Sequence, residues 1–376
     1  MIECVETGLV YRNPKPHLRS IHAWHPSLVL LDDGNLLAAF DLGEAVESLD
    51  YRTYTARSHD QGHTWEAPRP LFDDPVWRRS THSVRLGRTR DGLVVGLGGR
   101  FFRDDPDEGL TNRANLGYVP MDLILLRSED GGATWDGPAT IQPPLIGPGF
   151  EICHRIVELD DGRWLAPTST WRGWHGEAPD GMKAIALVSY DRGDTWPGWV
   201  TIIDQYEKGI ISWEQGLTQL ADGRLLAVVW SFEEKTGRSL PNHFAISADT
   251  RTFSEPRENG LHGETAKLLT LSDGRVLCLY RRTDKPGLWA NLVRIEGDDW
   301  INLAETPVWQ GIASGMKGQG AASDELSALK FGFPSMVQFP GGDVLAVFWC
   351  LEECLHVIRW ARLAIKGNGA SGERGQ

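Results

Sequence analysis

Five polar residues recur at one place in a repeating pattern. His25, His82, His154, Glu214 and Glu264 each open a strand-like run that ends in a tight Asp-Gly turn, and Phe333 opens a sixth run that ends in Gly341-Gly342. Imidazole and carboxylate groups are the side chains that exchange protons near neutral pH. Burying them together without partners is costly, so five of them side by side make a poor structural plug and a suitable reaction centre. Any one of these histidines is better explained by a hydrogen bond to neighbouring backbone; the set of five points to a site.

Further groups of the same chemistry stand at the ends of the second strands and in the loops that follow. These are Asp41, Glu44, Glu47 and Asp50, then Arg100 and Arg103, Trp171, Arg172, Trp174 and His175, Trp230 and Glu233, Tyr280, Arg281 and Arg282, and Glu352. Carboxylates serve acid-base chemistry, guanidinium forks hold a carboxylate or sulfate, and indole faces stack on sugar C–H faces. From these groups the expected catalytic set is Glu214, Glu264, Glu47, Asp50, His25, His82 and His154. The expected binding wall is Trp24, Arg100, Trp171, Arg172, His175, Tyr280, Arg281 and Arg282.

The elements that must position them form a repeat. The turn pattern SxDxGxTW occurs as Ser58 to Trp65, Ser128 to Trp135 and Ser189 to Trp196, with a degenerate copy from Ser247 to Phe253. Its Asp accepts hydrogen bonds from turn amides, its Gly supplies a positive φ, and its Trp packs under the sheet, so it builds a turn and does no chemistry. Six openings predict six blades of four antiparallel strands, with the first strand of each at a central axis. The short first-to-second and third-to-fourth turns fall on one face of the disc. The longer connections, residues 42–53, 101–120, 143–151, 171–183, 203–213, 233–241 and 310–330, fall on the other, which is the functional face. The sixth run is followed by one clear strand only, so residues 4–11 are expected to complete that blade and close the ring. A single domain over 1–366, a short helix at 323–329 above the axis and a disordered tail at 367–376 complete the expected organisation.

The net charge of −13 and a pI near 5.3 exclude a basic footprint for nucleic acid or an anionic membrane. Neither a signal-peptide pattern nor a long apolar run is present, and five cysteines without paired zinc-like spacing read as reduced thiols, so a cytoplasmic setting is expected. No cofactor is expected. Zinc at His25, His82 and His154 would need ring nitrogens about 2.1 Å from one point, and neither HxH nor HExxH spacing supports it.

The SxDxGxTW turns resemble the Asp-box of bacterial neuraminidases, and nearly the whole chain is similar to the sialidase superfamily of six-bladed β-propellers. The resemblance implies an acid/base carboxylate after the second strand of blade one, where Glu44, Glu47 and Asp50 stand. It also implies an assisting Glu at the start of blade four, matched by Glu214. It departs from the family at two places: Trp24-His25-Pro26 replaces the expected first arginine, and Phe333-Pro334-Ser335 replaces the nucleophilic Tyr-Ser pair. A tyrosyl-enzyme sialidase is therefore not expected. The expectation is an exo-acting enzyme that cleaves a glycosidic bond of a small acidic oligosaccharide or glycoside. Glu47 or Asp50 would act as acid, Glu214 or Glu264 as base or nucleophile, and Arg172, Arg281 or Arg282 would hold the anion. A histidine-led uronate lyase and a non-catalytic carbohydrate-binding propeller are the alternatives.

Overall fold

The computed structural model describes residues 1–74, 80–285, 287–310 and 330–366. The expected helix at 323–329 and the tail at 367–376 lie outside the described residues. The strands of the described residues form six antiparallel sheets, and each is one blade. Strand β1 (Ile2–Tyr11) belongs to the last of them. Blade one is β2 (His22–Leu30), β3 (Leu36–Gly43), β4 (Arg52–Ser58) and β5 (Arg69–Pro70); blade two is β6 (Ser80–Arg88), β7 (Val94–Phe102), β8 (Met121–Ser128) and β9 (Asp136–Ile141). Blade three has its inner strand broken into β10 (Gly149–Glu151) and β11 (Val157–Glu158), followed by β12 (Trp164–Trp171), β13 (Ala184–Ser189) and β14 (Gly198–Ile203). Blade four is β15 (Ile210–Gln219), β16 (Leu225–Glu233), β17 (His243–Ser247) and β18 (Arg257–Glu258). Blade five is β19 (Gly263–Thr270), β20 (Val276–Arg282), β21 (Gly287–Glu296) and β22 (Asp299–Trp309). Blade six is β23 (Phe331–Gln338), β24 (Val344–Glu352) and β25 (Leu355–Ile365), with β1 as its outermost strand.

The pairing of β1 with β25, from Ile2 opposite Ile365 to Tyr11 opposite Ile358, joins the two ends of the chain in one sheet. It covers an edge that would otherwise offer unpaired N–H and C=O groups. Strands that are hydrophobic on both faces bury one face against each neighbouring blade. Thus Leu28, Leu36 and Phe40 of blade one pack on Val347 and Trp349 of blade six, and Leu165, Ala186 and Val188 of blade three pack on Leu217 and Leu225 of blade four. Each such Leu or Phe contributes on the order of 1.5–3 kcal/mol by leaving water.

The third-to-fourth turns are closed as their residue types require. Asp130 accepts from the Thr134 amide (2.8 Å) and hydroxyl (2.5 Å), while the Ser128 hydroxyl accepts from Gly132 N (2.7 Å). Asp60 and Asp191 do the same with Thr64 and Thr195, and Asp249 accepts from Arg251 N and Thr252 N. Hydrogen bonds from the threonine hydroxyl and amide hold Asp60, Asp130 and Asp191 at about 2.

Candidate active site

The innermost strands bring their first halves to the axis, and four of them do so through a β-bulge. One extra residue sits on the inner strand between Trp24 and Ser27, Trp213 and Gly216, Glu264 and Lys267, and Gly332 and Ser335. At each bulge a non-glycine residue takes the left-handed backbone region: His25 (φ 46°), Glu214 (46°), Thr265 (53°) and Phe333 (50°). That conformation costs roughly 1–2 kcal/mol per residue, and bulges of this kind re-aim a side chain. All four residues line one cavity of about 150 Å³. Blade two has no bulge and contributes Ser83, and blade three, whose inner strand breaks, contributes Glu151 and Ile152. A cavity of this size holds one ring-sized molecule.

Two carboxyl groups, Glu151 and Glu214, dominate the cavity. Each has an Oε2 atom that is buried and without a hydrogen-bond partner. Burial, reinforced by neighbouring Glu151 and Glu264 and opposed by Arg281 and Lys267, pushes Glu214 up to about 8. Burial also raises Glu151, with Lys267 as the leading opposing influence. The two titrate as a pair: at neutral pH Glu214 keeps its proton, and Lys267 favours the charged form of Glu151.

A second network stands on the blade-one side of the cavity. Tyr51 Oη donates to Asp41 Oδ2 (2.8 Å), and His25 Nδ1 lies 2.5 Å from the same Oη. Because the tyrosine proton goes to Asp41, Nδ1 of His25 is the donor and Nε2 is the nitrogen left to take a proton. Asp41 is fully buried and also receives the hydroxyls of Thr53 (2.6 Å) and Ser83 (2.5 Å), with Arg85 Nη1 at 3.4 Å. Burial would raise its carboxyl, but Arg85, His25 and Ser83 outweigh burial and hold it below the usual value. His25 is lowered, chiefly by burial, with Asp41 pulling the other way, so it is neutral at pH 7.

The opposite wall is aromatic. Trp171 stacks on Trp213 (4.7 Å) and Tyr118 (5.8 Å), and its Nε1 donates to Leu116 O (2.6 Å). Arg281 also lines the cavity; Glu264 binds it through Nε (2.7 Å) and Nη2 (2.6 Å), and its Nη1 donates to Phe331 O (3.1 Å). Gly332 makes room for this fork, since a Cβ there would collide with Arg281 Nη1. Glu47, on the loop after β3, completes the rim and accepts from Leu110 N (2.9 Å).

Of the residues expected from sequence, the structure gathers His25, Glu47, Trp171, Glu214 and Arg281 on this cavity, with Glu264 behind Arg281. The others lie elsewhere. His82 stacks on Phe72 (4.2 Å) between blades, and its Nδ1 accepts from Thr53 N (3.4 Å). His154 bridges blades three and four: its Nε2 accepts from Leu217 N (3.0 Å), and its Nδ1 donates to Arg155 O (2.8 Å). Both of its ring nitrogens are therefore engaged by backbone. Asp50 caps its own loop through Glu44 N (3.1 Å). Trp24 is buried against Tyr51 and His356, and Tyr280 is buried within blade five. Arg100 pairs with Asp122, Arg172 with Glu234, and Arg282 with Asp284 and Glu305, while His175 is exposed. Among the described residues, no group of three or more His, Cys, Asp or Glu is placed to hold a metal ion.

No family model matches the sequence, and no curated protein matches it. Solved structures do match in shape. A protein of unknown function from Dyadobacter fermentans superposes with a TM-score of 0.74 at 20% identity, over 97% of this chain and 99% of that one. The α-L-arabinanase of Penicillium chrysogenum, complexed with arabinobiose, gives 0.64 at 15% identity over 96% and 98%. Trypanosoma rangeli sialidase in complex with sialic acid gives 0.63 at 13% identity over 91% and 54%. The chain thus has the six-bladed propeller fold of sialidases and of an arabinanase.

Proposed function

We propose that this protein is a glycoside hydrolase in which Glu214 is the general acid and Glu151 is its partner carboxylate. The observation that carries the reading is two carboxyl groups in one ring-sized pocket, each with a buried and unpartnered oxygen; burial pushes one of them, Glu214, up to about 8, which favours its acid form at neutral pH. Glycosidic cleavage needs that pair: a proton for the departing oxygen, and a carboxylate that attacks the anomeric carbon or activates water. Glu214 donates to the leaving oxygen, Glu151 faces the anomeric carbon, and Trp171 and Trp213, whose faces pack on each other, on Tyr118 and on Trp230, offer the sugar ring an apolar edge. That two of the similar solved structures are named as glycoside-cleaving enzymes supports the reading.

An acidic sugar, as expected from sequence, would have to bring its anion to Arg281 or Arg85. Both forks are already engaged, by Glu264 and by Asp41 with Ser83. The pocket therefore suits an uncharged sugar better. The His25–Tyr51–Asp41 chain favours one second reading, an elimination in which His25 Nε2 removes a proton beside a substrate carboxylate.

The test is a panel of oligosaccharides, uncharged, uronic and sialylated, assayed for new reducing ends and for an unsaturated product that absorbs in the ultraviolet. New reducing ends from an uncharged member, abolished by Glu151→Gln, are expected. Unsaturated product would move the role to His25. A protein that gains thermal stability from a glycan yet releases nothing would be a binding propeller, and the hydrolase reading would fail.

A further inference from the structure

The four bulge residues share a spacing: His25, Glu214, Thr265 and Phe333 each stand eight residues before the first residue of the turn at Asp33, Asp222, Asp273 or Gly341. The same spacing selects Ser83 and Cys153 in the other two blades. Side chains two residues further on return to the same face of a strand. Those positions hold Ser27, Arg85, Arg155, Gly216, Lys267 and Ser335. All but Gly216 line a second cavity of about 40 Å³, which shares Arg85 and Phe333 with the first.

This second tier carries three cations, and no Asp or Glu lines the cavity. Arg85 is 4% exposed; its two Nη atoms reach Asp41 and Ser83, while its Nε has no hydrogen-bond partner. Lys267 is 7% exposed, donates to Gln215 O (3.1 Å) and otherwise lies over the Phe333 ring. The Ser27 hydroxyl accepts from Leu86 N (2.9 Å) and the Ser335 hydroxyl from Leu28 N (3.1 Å), so each has its own proton to donate. Asp41 answers Arg85 and Glu151 answers Lys267, but among the described residues Arg155 has no carboxylate partner, and a cation held out of water without an anion is costly. The volume is near that of a single water, about 30 Å³, which admits a monatomic ion and excludes a sugar.

We propose that this axial cavity binds one small inorganic anion, chloride in ordinary solution, between Lys267, Arg155, Arg85 Nε and the hydroxyls of Ser27 and Ser335. The ion is a counter-charge that ties blades one, two, three, five and six together at the axis. It lies below the pocket and takes no part in bond cleavage, so it stands or falls independently of the reaction.

Bromide is the probe. Crystals of the whole chain soaked in sodium bromide should show an anomalous peak at the bromine absorption edge within hydrogen-bonding reach of Lys267 Nζ. In solution, replacing chloride by gluconate at constant ionic strength should lower Tm, and chloride should restore it saturably. Arg155→Met should raise the half-saturating chloride concentration at least about tenfold, the loss of one charged contact. Ser335→Ala, which removes one hydroxyl and keeps the charges, serves if Arg155→Met does not fold, and should raise it several-fold. Absence of the bromide peak would overturn the proposal, as would a chloride response identical in wild type and both variants, which would be a general salt effect.

Discussion

Glu214→Gln isolates the feature on which the pocket's chemistry rests. A glutamic acid normally titrates near 4.5, and in the folded protein Glu214 does so at about 8. The native state therefore binds a proton more tightly than the unfolded chain does, and between those values rising pH removes stability. Below pH 4.5 both states are protonated and the group contributes no pH dependence. Above pH 8 the native protein must hold a charge on a carboxyl group that burial disfavours. At about 1.36 kcal/mol per pH unit the gap corresponds to roughly 5 kcal/mol, shared with Glu151 because the pair titrates together. Glutamine keeps the shape and cannot ionise. Urea denaturation of both proteins from pH 5 to pH 9 is the assay: the variant's stability relative to wild type should rise by several kcal/mol across that range. A constant difference would refute the argument, because it would mean that Glu214 ionises as easily in the pocket as in water.

Three further outcomes follow from the same contacts. Asp41→Asn leaves Arg85 buried without its counter-charge and should cost about 3–5 kcal/mol in chemical denaturation. His82 and His154 are lowered to about 4 and about 3, chiefly by burial, so the unfolded chain takes up their protons first. Their share of stability is complete above about pH 6.5 and declines as pH falls toward 3; in acid titrations followed by circular dichroism, His154→Gln should flatten that decline. Asp130→Ala removes the acceptor of the turn amides of Ala133 and Thr134. It should lower stability by about 1 kcal/mol, because the turn is exposed, while KM stays unchanged.

The fold was legible because its signals are local and repeated: the Asp-Gly turns and the SxDxGxTW turns mark strand ends wherever they occur. The unpaired sixth blade, in turn, points to the N-terminal strand. The site was legible only in part. His25 and Glu214, picked as polar residues that open inner strands, do face the axis, because each stands eight positions before its turn and a bulge aims it there. The histidines His82 and His154 stand nine and seven positions before their turns, so they face neighbouring blades. Glu264, also nine positions before its turn, faces Arg281, and Thr265 takes the axial place. A constant spacing would have separated these cases. Glu151 carries no such signal, since it reaches the cavity only because the inner strand of blade three breaks after β10. The hub formed by Asp41, Tyr51 and Ser83 joins three different strands and loops, and only the folded chain brings them together.

The central claim is a division of labour between two carboxyl groups, and the dependence of turnover on the leaving group tests it most directly. With an oligosaccharide, whose departing oxygen needs a proton, Glu214→Gln should lose at least about a hundredfold in kcat. With a dinitrophenyl glycoside of the same sugar, whose leaving group departs without a proton, that variant should stay within about tenfold of wild type. Glu151→Gln should fail on both substrates. Equal losses on the two substrates in Glu214→Gln, or near-wild-type turnover in Glu151→Gln, would contradict the account.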